Sequence, residues 1–339
     1  MTTSLVLGCG GPTLTASERD FFREVRPWGF ILFGRNVESP DQVRGLTEAL
    51  REAVGREDAP VLTDQEGGRV QRLRVPHWAA CPPARAYGRL AEIDLALGLE
   101  AASLGGRLIA HDLLSVGITV ACAPVLDVPA PDADPVIGDR AFADEPAGVA
   151  ALGRAFAEVL LAGGVLPVVK HTPGHGRATT DSHCEAPLVT ADLEMLESRD
   201  FAPFRALADM PMAMTAHVVF GAVDPGRPAT LSPAVIGAVI RGRIGFDGLL
   251  LSDDIGMGAL SGPLVGRTEA ALAAGCDLVL HGSGNLAQMA AAAGGARPLR
   301  GATRRRADAA LARRRRSPEP LDAPAARARL AALVERVAA

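Results

Sequence analysis

The segment KHTPGHGRATTDSH at 170–183 contains groups that could transfer protons and bind hydroxyl groups. It holds three of the seven histidines and the only lysine, Lys170, of a chain with 35 lysines and arginines in total. Imidazole titrates near neutral pH, so a histidine can donate a proton and take it back within one catalytic cycle. Asp181 lies two residues before His183 and could orient and charge its ring, as the acid of a hydrolase triad does. The segment therefore predicts general acid–base chemistry.

Polar groups also follow four other apolar runs. These groups are TDQEGGR at 63–69, APVLDV at 123–128, His217 and SDD at 252–254. A single case could be a helix cap or a surface ion pair, but five along one chain indicate a polar pocket. Carboxylates together with cationic donors suit the hydroxyls of a sugar ring. No glycine-rich phosphate loop opens a helix, so sugars are favoured over phosphates.

The elements that must position these groups alternate along the chain. Short apolar runs predict strands at 5–8, 29–33, 61–63, 118–121, 166–169, 213–216, 249–252 and 278–280. Helical patterns lie between and after them at 17–26, 40–55, 92–116, 147–162, 193–208, 232–243, 265–274 and 284–293. The runs are apolar throughout, as in strands that are buried on both faces. Eight such units predict an α/β fold, a single-domain (β/α)8 TIM-type barrel, with its chemistry at the carboxyl ends of the strands.

Residues 1–295 are predicted to form the catalytic barrel, and residues 296–339 an Ala/Arg-rich helical extension that packs on the barrel or trails it. The extension contains RRR at 304–306 and RRRR at 313–316. Its arginines are mixed with acidic residues and no aromatic side chains lie among them, which is typical of solvated helices rather than of RNA binding.

Charge and composition exclude several classes of partner. The formal net charge of −4 gives no general attraction to nucleic acid or to anionic membranes. No run of eighteen apolar residues and no signal peptide is present, so a cytoplasmic protein without a membrane partner is expected. The five cysteines lie far apart, which favours reduced thiols. A monomer is expected.

Six motifs occur together in one order. They are DQEGGRVQR at 64–72, APVLDV at 123–128, GDRAF at 138–142, KHTPGHGRATTDSH at 170–183, MTAHVVF at 214–220 and SDDIGM at 252–257. The set resembles the single-domain β-N-acetylglucosaminidases (β-N-acetylhexosaminidases) of glycoside hydrolase family 3, the cytoplasmic enzymes that recycle bacterial cell-wall fragments. The resemblance runs from about residue 5 to about residue 290, and its KH-x-PGHG-x4-DSH motif is highly specific.

The resemblance implies a retaining exo-glycosidase that removes terminal β-linked GlcNAc from GlcNAc-anhydroMurNAc muropeptides without a cofactor or a metal. It implies that Asp253 is the nucleophile and that His183, oriented by Asp181, is the acid and base. It also implies a set of sugar-binding residues, namely Asp64, Arg72, Arg140, Lys170 and His171. Asp254 is expected to point away from the pocket, because successive side chains of a strand alternate.

Several alternatives remain open from the sequence. The same residues could support a phosphorylase, because a neutral histidine does not repel phosphate as a carboxylate would. A sugar-binding barrel without turnover is a weaker alternative. Two other interpretations concern single residues: Lys170 as a Schiff-base lysine, and Glu185 in place of His183 as the acid. A further one is a metal site built from His171, His175, His183 and Asp181.

Four further points concern two histidines and two departures from the family. His175 is expected to support its loop as a neutral ring, and His217 to line the pocket, although a buried core histidine is nearly as good an interpretation. Thr172 stands where the family often has an aromatic residue. The sequence His-Gly-Ser at 281–283 replaces an expected Cys-Asn, which leaves that side of the rim open.

Overall fold

Eight parallel strands form a closed barrel in the computed structural model, which describes residues 1–337. We number the strands β1 to β8: Thr3–Leu7, Pro27–Leu32, Val61–Thr63, Val120–Ala121, Leu166–Thr172, Met212–Thr215, Leu249–Asp254 and Leu278–His281. Each strand pairs with its neighbours in the sequence, and β8 pairs with β1. Every strand overlaps a predicted one. The predicted (β/α)8 fold class is confirmed.

The strands are apolar along their whole length because each of their faces packs against a different layer. In β1, Leu5 and Leu7 point outward into the core shared with the helices. Val6, between them, points into the barrel interior, where it belongs to a cluster with Leu62 of β3 and Val120 of β4. This alternation buries both faces, and it leaves the strand ends as the place for polar groups.

Nine helices surround the barrel in the part of the chain before residue 295. They are α1 Ala16–Val25, α2 Pro40–Val54, α3 Ala84–Ile93, α4 Leu95–Ser115, α5 Pro146–Ala162, α6 Leu193–Met195, α7 Ala202–Ala206, α8 Leu264–Ala274 and α9 Leu286–Gly294. Wider, π-type turns form Leu196–Asp200 and Val235–Arg243. Single 3-10 turns lie at Gly34–Asn36, Gly138–Arg140, Ala229–Leu231 and Glu335–Val337. Short strand pairs join Gln65–Gly67 with Val70–Gln71, and Leu188–Val189 with Val219–Phe220.

The predicted helix at 92–116 is in fact the second of two helices. Asp94 has an extended backbone (φ −156°, ψ 119°), and its side chain accepts a hydrogen bond from the backbone N–H of Ala96. A carboxylate in that position caps the start of α4 and ends α3. Likewise, the helix predicted at 193–208 is divided into α6, a π-type turn and α7.

The last segment packs on the barrel and contributes to its interior. Helix α10 (Gly301–Ala312) places Ala307 and Ala310 in the cluster that fills the barrel. The chain before α10 is tied to β1 by two backbone hydrogen bonds, Ser4 N to Arg297 O at 2.8 Å and Leu299 N to Thr2 O at 2.9 Å.

Helix α11 (Ala323–Val334) packs against α4 and buries Leu330 and Leu333. An ion pair of 2.6 Å between Arg327 and Asp112 joins the same two helices. Within residues 1–337, no helix has both the length and the apolar character that are needed to cross a membrane.

Candidate active site

A pocket of about 350 Å³ opens at the carboxyl ends of the barrel strands. All eight residues that the sequence predicts for the site line it: Asp64, Arg72, Arg140, Lys170, His171, Asp181, His183 and Asp253. They come from β5, from β7 and from the loops that follow β3, β4 and β5. The barrel therefore brings together groups that are up to 189 positions apart in the sequence.

Ion pairs join the cations on the floor of the pocket to two carboxylates. Lys170 Nζ donates to Asp64 Oδ1 at 2.9 Å and lies 2.7 Å from Glu66 Oε1. Arg72 Nη2 donates to the other oxygen of Asp64 at 2.8 Å. Arg140 binds Glu66 through two parallel hydrogen bonds of 2.8 and 2.9 Å. Each cation of this floor is thus paired with at least one carboxylate.

The ion pairs keep these buried groups charged. Burial lowers the pKa of Lys170, but the negative charges of Asp64 and Glu66 raise the pKa by a larger amount, so it lies above the usual value. Burial likewise raises the pKa of Glu66, while Lys170 and Arg140 outweigh that effect and bring it to about 2. Lys170 is therefore an ammonium ion in the pocket. A Schiff-base lysine needs a neutral amine, so the floor does not support that alternative.

Asp127, a buried carboxylate, orients the ring of His171. Its carboxylate is fully buried and lies 2.7 Å from His171 Nδ1, and it also accepts a 2.7 Å hydrogen bond from the backbone N–H of His175. Burial raises the pKa of Asp127, but its interactions with His171 and His175 together lower the pKa more, so the net shift is downward. With Nδ1 donating to Asp127, His171 Nε2 is left as an acceptor, 3.4 Å from Arg140 Nη2.

Asp253 lines the pocket at the end of β7, and its neighbour Asp254 points elsewhere. Asp253 Oδ1 accepts a 2.7 Å hydrogen bond from the backbone N–H of Asp254. Burial raises the pKa of Asp253, but His217, His171, the backbone N–H of Asp254 and Lys170 together lower it more, so its pKa lies below the usual value. The carboxylate of Asp254 instead accepts hydrogen bonds from the backbone N–H groups of Gly256 and Gly282. Strand alternation thus leaves one of the two aspartates in the pocket.

The expectation that His217 lines the pocket is wrong. Its side chain is completely buried, with Nδ1 at 2.7 Å from Thr230 Oγ1 and Nε2 at 3.0 Å from the backbone oxygen of Asp254. Both ring nitrogens are therefore occupied, and burial lowers the pKa of His217 below its usual value. His217 supports the chain around Asp254 from within the core.

Asp181 and His183 form a hydrogen-bonded pair on the loop after β5. Asp181 Oδ1 lies 2.7 Å from His183 Nδ1 and also accepts a 2.9 Å hydrogen bond from the backbone N–H of His183. Burial raises the pKa of Asp181, but the hydrogen bonds from His183 outweigh it, so the pKa is lowered overall. The side chain of His183 is 65 % exposed. When Nδ1 donates to Asp181, Nε2 is free to carry a proton to and from a ligand.

Two site residues were not identified from the sequence as such. Glu66 bridges Lys170 and Arg140, and Asp127 anchors His171. Glu66 lies in the motif DQEGGRVQR and Asp127 in APVLDV, and each follows an apolar strand; a carboxylate in that position was the signal that could have identified them. The metal site of His171, His175, His183 and Asp181, an alternative that the sequence left open, is not formed: within residues 1–337, no three His, Cys, Asp or Glu side chains are grouped so that they could hold a metal ion.

Residues 17–313 match the family model described as the glycosyl hydrolase family 3 N terminal domain. The chain belongs to glycoside hydrolase family 3. It is 41% identical over 280 residues to a β-hexosaminidase of Alkalilimnicola ehrlichii, covering 81% of this chain and 79% of that protein. It is 42% identical over 274 residues to a β-hexosaminidase of Methylococcus capsulatus, covering 80% of each.

A solved structure extends the similarity of this family 3 chain to the whole barrel and its extension. NagZ from Neisseria gonorrhoeae in complex with N-trifluoroacetyl-D-glucosamine has a TM-score of 0.86 and 30% identity, over 98% of both chains. Together these relatives show a glycoside hydrolase of the β-N-acetylhexosaminidase type. A sugar-binding barrel without turnover, the weaker alternative from the sequence, is therefore not supported.

Proposed function

We propose that this family 3 enzyme is a retaining exo-β-N-acetylglucosaminidase that acts in the cytoplasm, as a monomer, on GlcNAc-anhydroMurNAc muropeptides from cell-wall recycling. The volume of the pocket suits a single sugar unit bound at its end. The relative from N. gonorrhoeae was crystallised with an N-acylated glucosamine, which supports an amino sugar as the bound unit.

One observation carries the assignment of the nucleophile. Four carboxylates line the pocket. Asp64 and Glu66 are bound to cations, and Asp181 is bound to His183. Within residues 1–337, Asp253 forms no ion pair, and its pKa is lowered, so it presents an ionised oxygen to the ligand. Asp253 is thus the carboxylate best suited to attack C1 of the sugar.

In the first step, an oxygen of Asp253 bonds to C1 while the glycosidic C–O bond breaks. His183 gives its Nε2 proton to the departing oxygen, and Asp181 stabilises the ring in its charged form. In the second step, water attacks C1, His183 takes the proton of that water, and Asp253 leaves as a carboxylate. Two displacements at C1 retain its configuration.

The floor of the pocket supports the role of binding the sugar. We assign the ring hydroxyls to Asp64, Arg72, Arg140, Lys170 and His171. An ammonium group has three donors, and a carboxylate has about four acceptor sites, so the ion pairs leave hydrogen-bonding capacity toward a ligand. The three cations of the floor, Lys170, Arg72 and Arg140, share the two carboxylates of Asp64 and Glu66, so the floor keeps one formal positive charge. We assign water as the acceptor because the similar proteins are β-hexosaminidases, which are hydrolases.

Asp253→Asn tests the proposal. We expect hydrolysis of 4-nitrophenyl β-GlcNAc to fall by about a thousandfold or more, because the amide cannot form the covalent intermediate. Asp254→Asn is the matched control and should lose far less activity, since the side chain of Asp254 lies outside the pocket. A fluorinated glycoside should label the wild-type peptide that contains Asp253. Near-normal activity of Asp253→Asn, or a label on another residue, would contradict the assignment.

Release of GlcNAc-1-phosphate in phosphate buffer would instead indicate a phosphorylase.

A further inference from the structure

Ser182 lies between the two members of the acid–base pair and, unlike them, is buried. The side chains of Asp181 and His183 are 38 % and 65 % exposed, whereas Ser182 is buried. Its Oγ lies 2.9 Å from Nε2 of His175, which is also buried. The loop is therefore attached to the body of the protein at the one residue that separates its two candidate catalytic groups.

His175 is held by the backbone at the root of the same loop. Its N–H donates to the buried carboxylate of Asp127 at 2.7 Å. The next residue, Gly176, accepts a 2.8 Å hydrogen bond from Ala130 N, and a Cβ atom there would lie only 2.0 Å from Val128 O. No larger residue fits without displacing the chain after β4. The backbone that carries the ring of His175 is thus held in place by hydrogen bonds and close packing.

The ring of His175 makes a single hydrogen bond. Its Nδ1 is buried and has no partner within residues 1–337, so Nε2 to Ser182 is the ring's one polar contact. Burial, followed by the neighbouring His171, lowers the pKa of His175 to about 4, so the ring is neutral at physiological pH. A neutral ring leaves the proton-transfer role to His183 and is suited to orienting the serine hydroxyl.

We propose that the hydrogen bond between His175 and Ser182 positions the Asp181–His183 pair for proton transfer, which makes Ser182 and His175 positioning residues of the reaction. This inference rests on the proposed acid–base role of His183. Two backbone hydrogen bonds, Gly258 N to His183 O at 3.0 Å and Ala259 N to Ser182 O at 3.3 Å, hold the loop independently of the serine hydroxyl. Loss of that hydroxyl should therefore loosen the alignment of the imidazole while the loop stays attached.

The test compares leaving groups. Phenyl β-GlcNAc needs a proton on its departing oxygen, whereas 2,4-dinitrophenyl β-GlcNAc does not. For Ser182→Ala we expect kcat/KM to fall about tenfold on the phenyl substrate and less than about twofold on the dinitrophenyl substrate. His175→Phe removes the partner from the other side and should give the same split. Thr179→Ala, which removes an exposed hydroxyl from the same loop, is the matched control and should leave both rates unchanged.

A double variant separates this inference from the proposal on which it rests. If Ser182 acts through His183, then Ser182→Ala should cause no further loss on the phenyl substrate in a His183→Ala background. Equal losses on both substrates, no loss at all, or full additivity in the double variant would overturn the positioning role and leave the acid–base role intact. If His183→Ala itself failed to discriminate between the substrates, the acid–base assignment would fall, and the positioning role with it.

Discussion

At the floor of the pocket, the carboxylate of Glu66 pairs with two buried cations, Lys170 and Arg140. The side chains of all three residues are at most 10 % exposed. Removing one member of a buried ion pair leaves its partner as an uncompensated charge that water cannot solvate. This lowers the free energy of unfolding much more than the loss of a surface ion pair does. Glu66 is therefore needed for the fold of the pocket as well as for its polarity.

Glu66→Gln should lower the free energy of unfolding by about 3 kcal/mol at neutral pH. The folded-state pKa of Glu66 is about 2, below its ordinary value of 4.5, so its stabilising effect is complete above about pH 4.5 and is lost as the pH falls toward 2. The difference between wild type and variant should therefore shrink on acidification. Urea unfolding at pH 7 and pH 3 measures this. Glu158→Gln, at an exposed pair with Arg154, is the control, and a difference that did not depend on pH would contradict the account.

Strand-end groups and the resemblance to the family together predicted eight site residues, and the fold brings all of them to one pocket. The sequence did not reveal which of these side chains form hydrogen bonds or ion pairs with each other. Glu66 and Asp127 act through partners on other strands, and His217 is turned into the core by Thr230. Such contacts depend on how the barrel closes, so motif spacing alone does not reveal them.

Among the elements, α3 was missed because its sequence carries weak helix signals. It begins after Pro83, which provides no side-chain cap, and it contains Gly88. Glycine disfavours helices, but here it permits a close contact: a Cβ atom at position 88 would lie 1.7 Å from Phe142 O. The chain at Phe142 follows directly after the turn that carries Arg140, so the packing of α3 helps to position the pocket.

Gly88→Ala should destabilise the protein by about 2 kcal/mol, because the added methyl group must displace the backbone at Phe142. Gly45→Ala in α2 is the matched control. It lies on an exposed helix face with no atom within 4 Å of the new methyl group, and it should stabilise by up to about 1 kcal/mol. Thermal unfolding of both variants measures the effect. Equal shifts in Tm for the two would contradict the close-packing explanation.

For the molecule as a whole, the barrel interior is completed by residues beyond the predicted boundary at 295. Leu299, Ala307 and Ala310 belong to the same buried cluster as Val6 and Leu62. The family match, which ends at residue 313, includes α10 as well. Short, continuous apolar runs indicated the eight strands, but the Ala- and Arg-rich composition of α10 gave no sign that one of its faces is buried.

A chain that ends at residue 295 should therefore fail to fold cooperatively, because the interior cluster would face water. A chain that ends at residue 317 loses α11 but keeps α10, and it should unfold in one transition at a lower Tm. Near-UV circular dichroism and binding of an apolar dye compare the two. Native-like dichroism of the shorter chain would show that α10 is dispensable.

The burial of the one lysine also determines how this protein can be labelled. Lys170 is 2 % exposed and bound to two carboxylates, so within this sequence no ε-amine is open to acylating reagents or amine cross-linkers. Of the five thiols, four are buried, and Cys184 is exposed. That thiol is adjacent to His183, so a maleimide dye would report on the acid–base loop while disturbing it. Attachment to a surface elsewhere calls for a lysine or cysteine introduced far from the pocket.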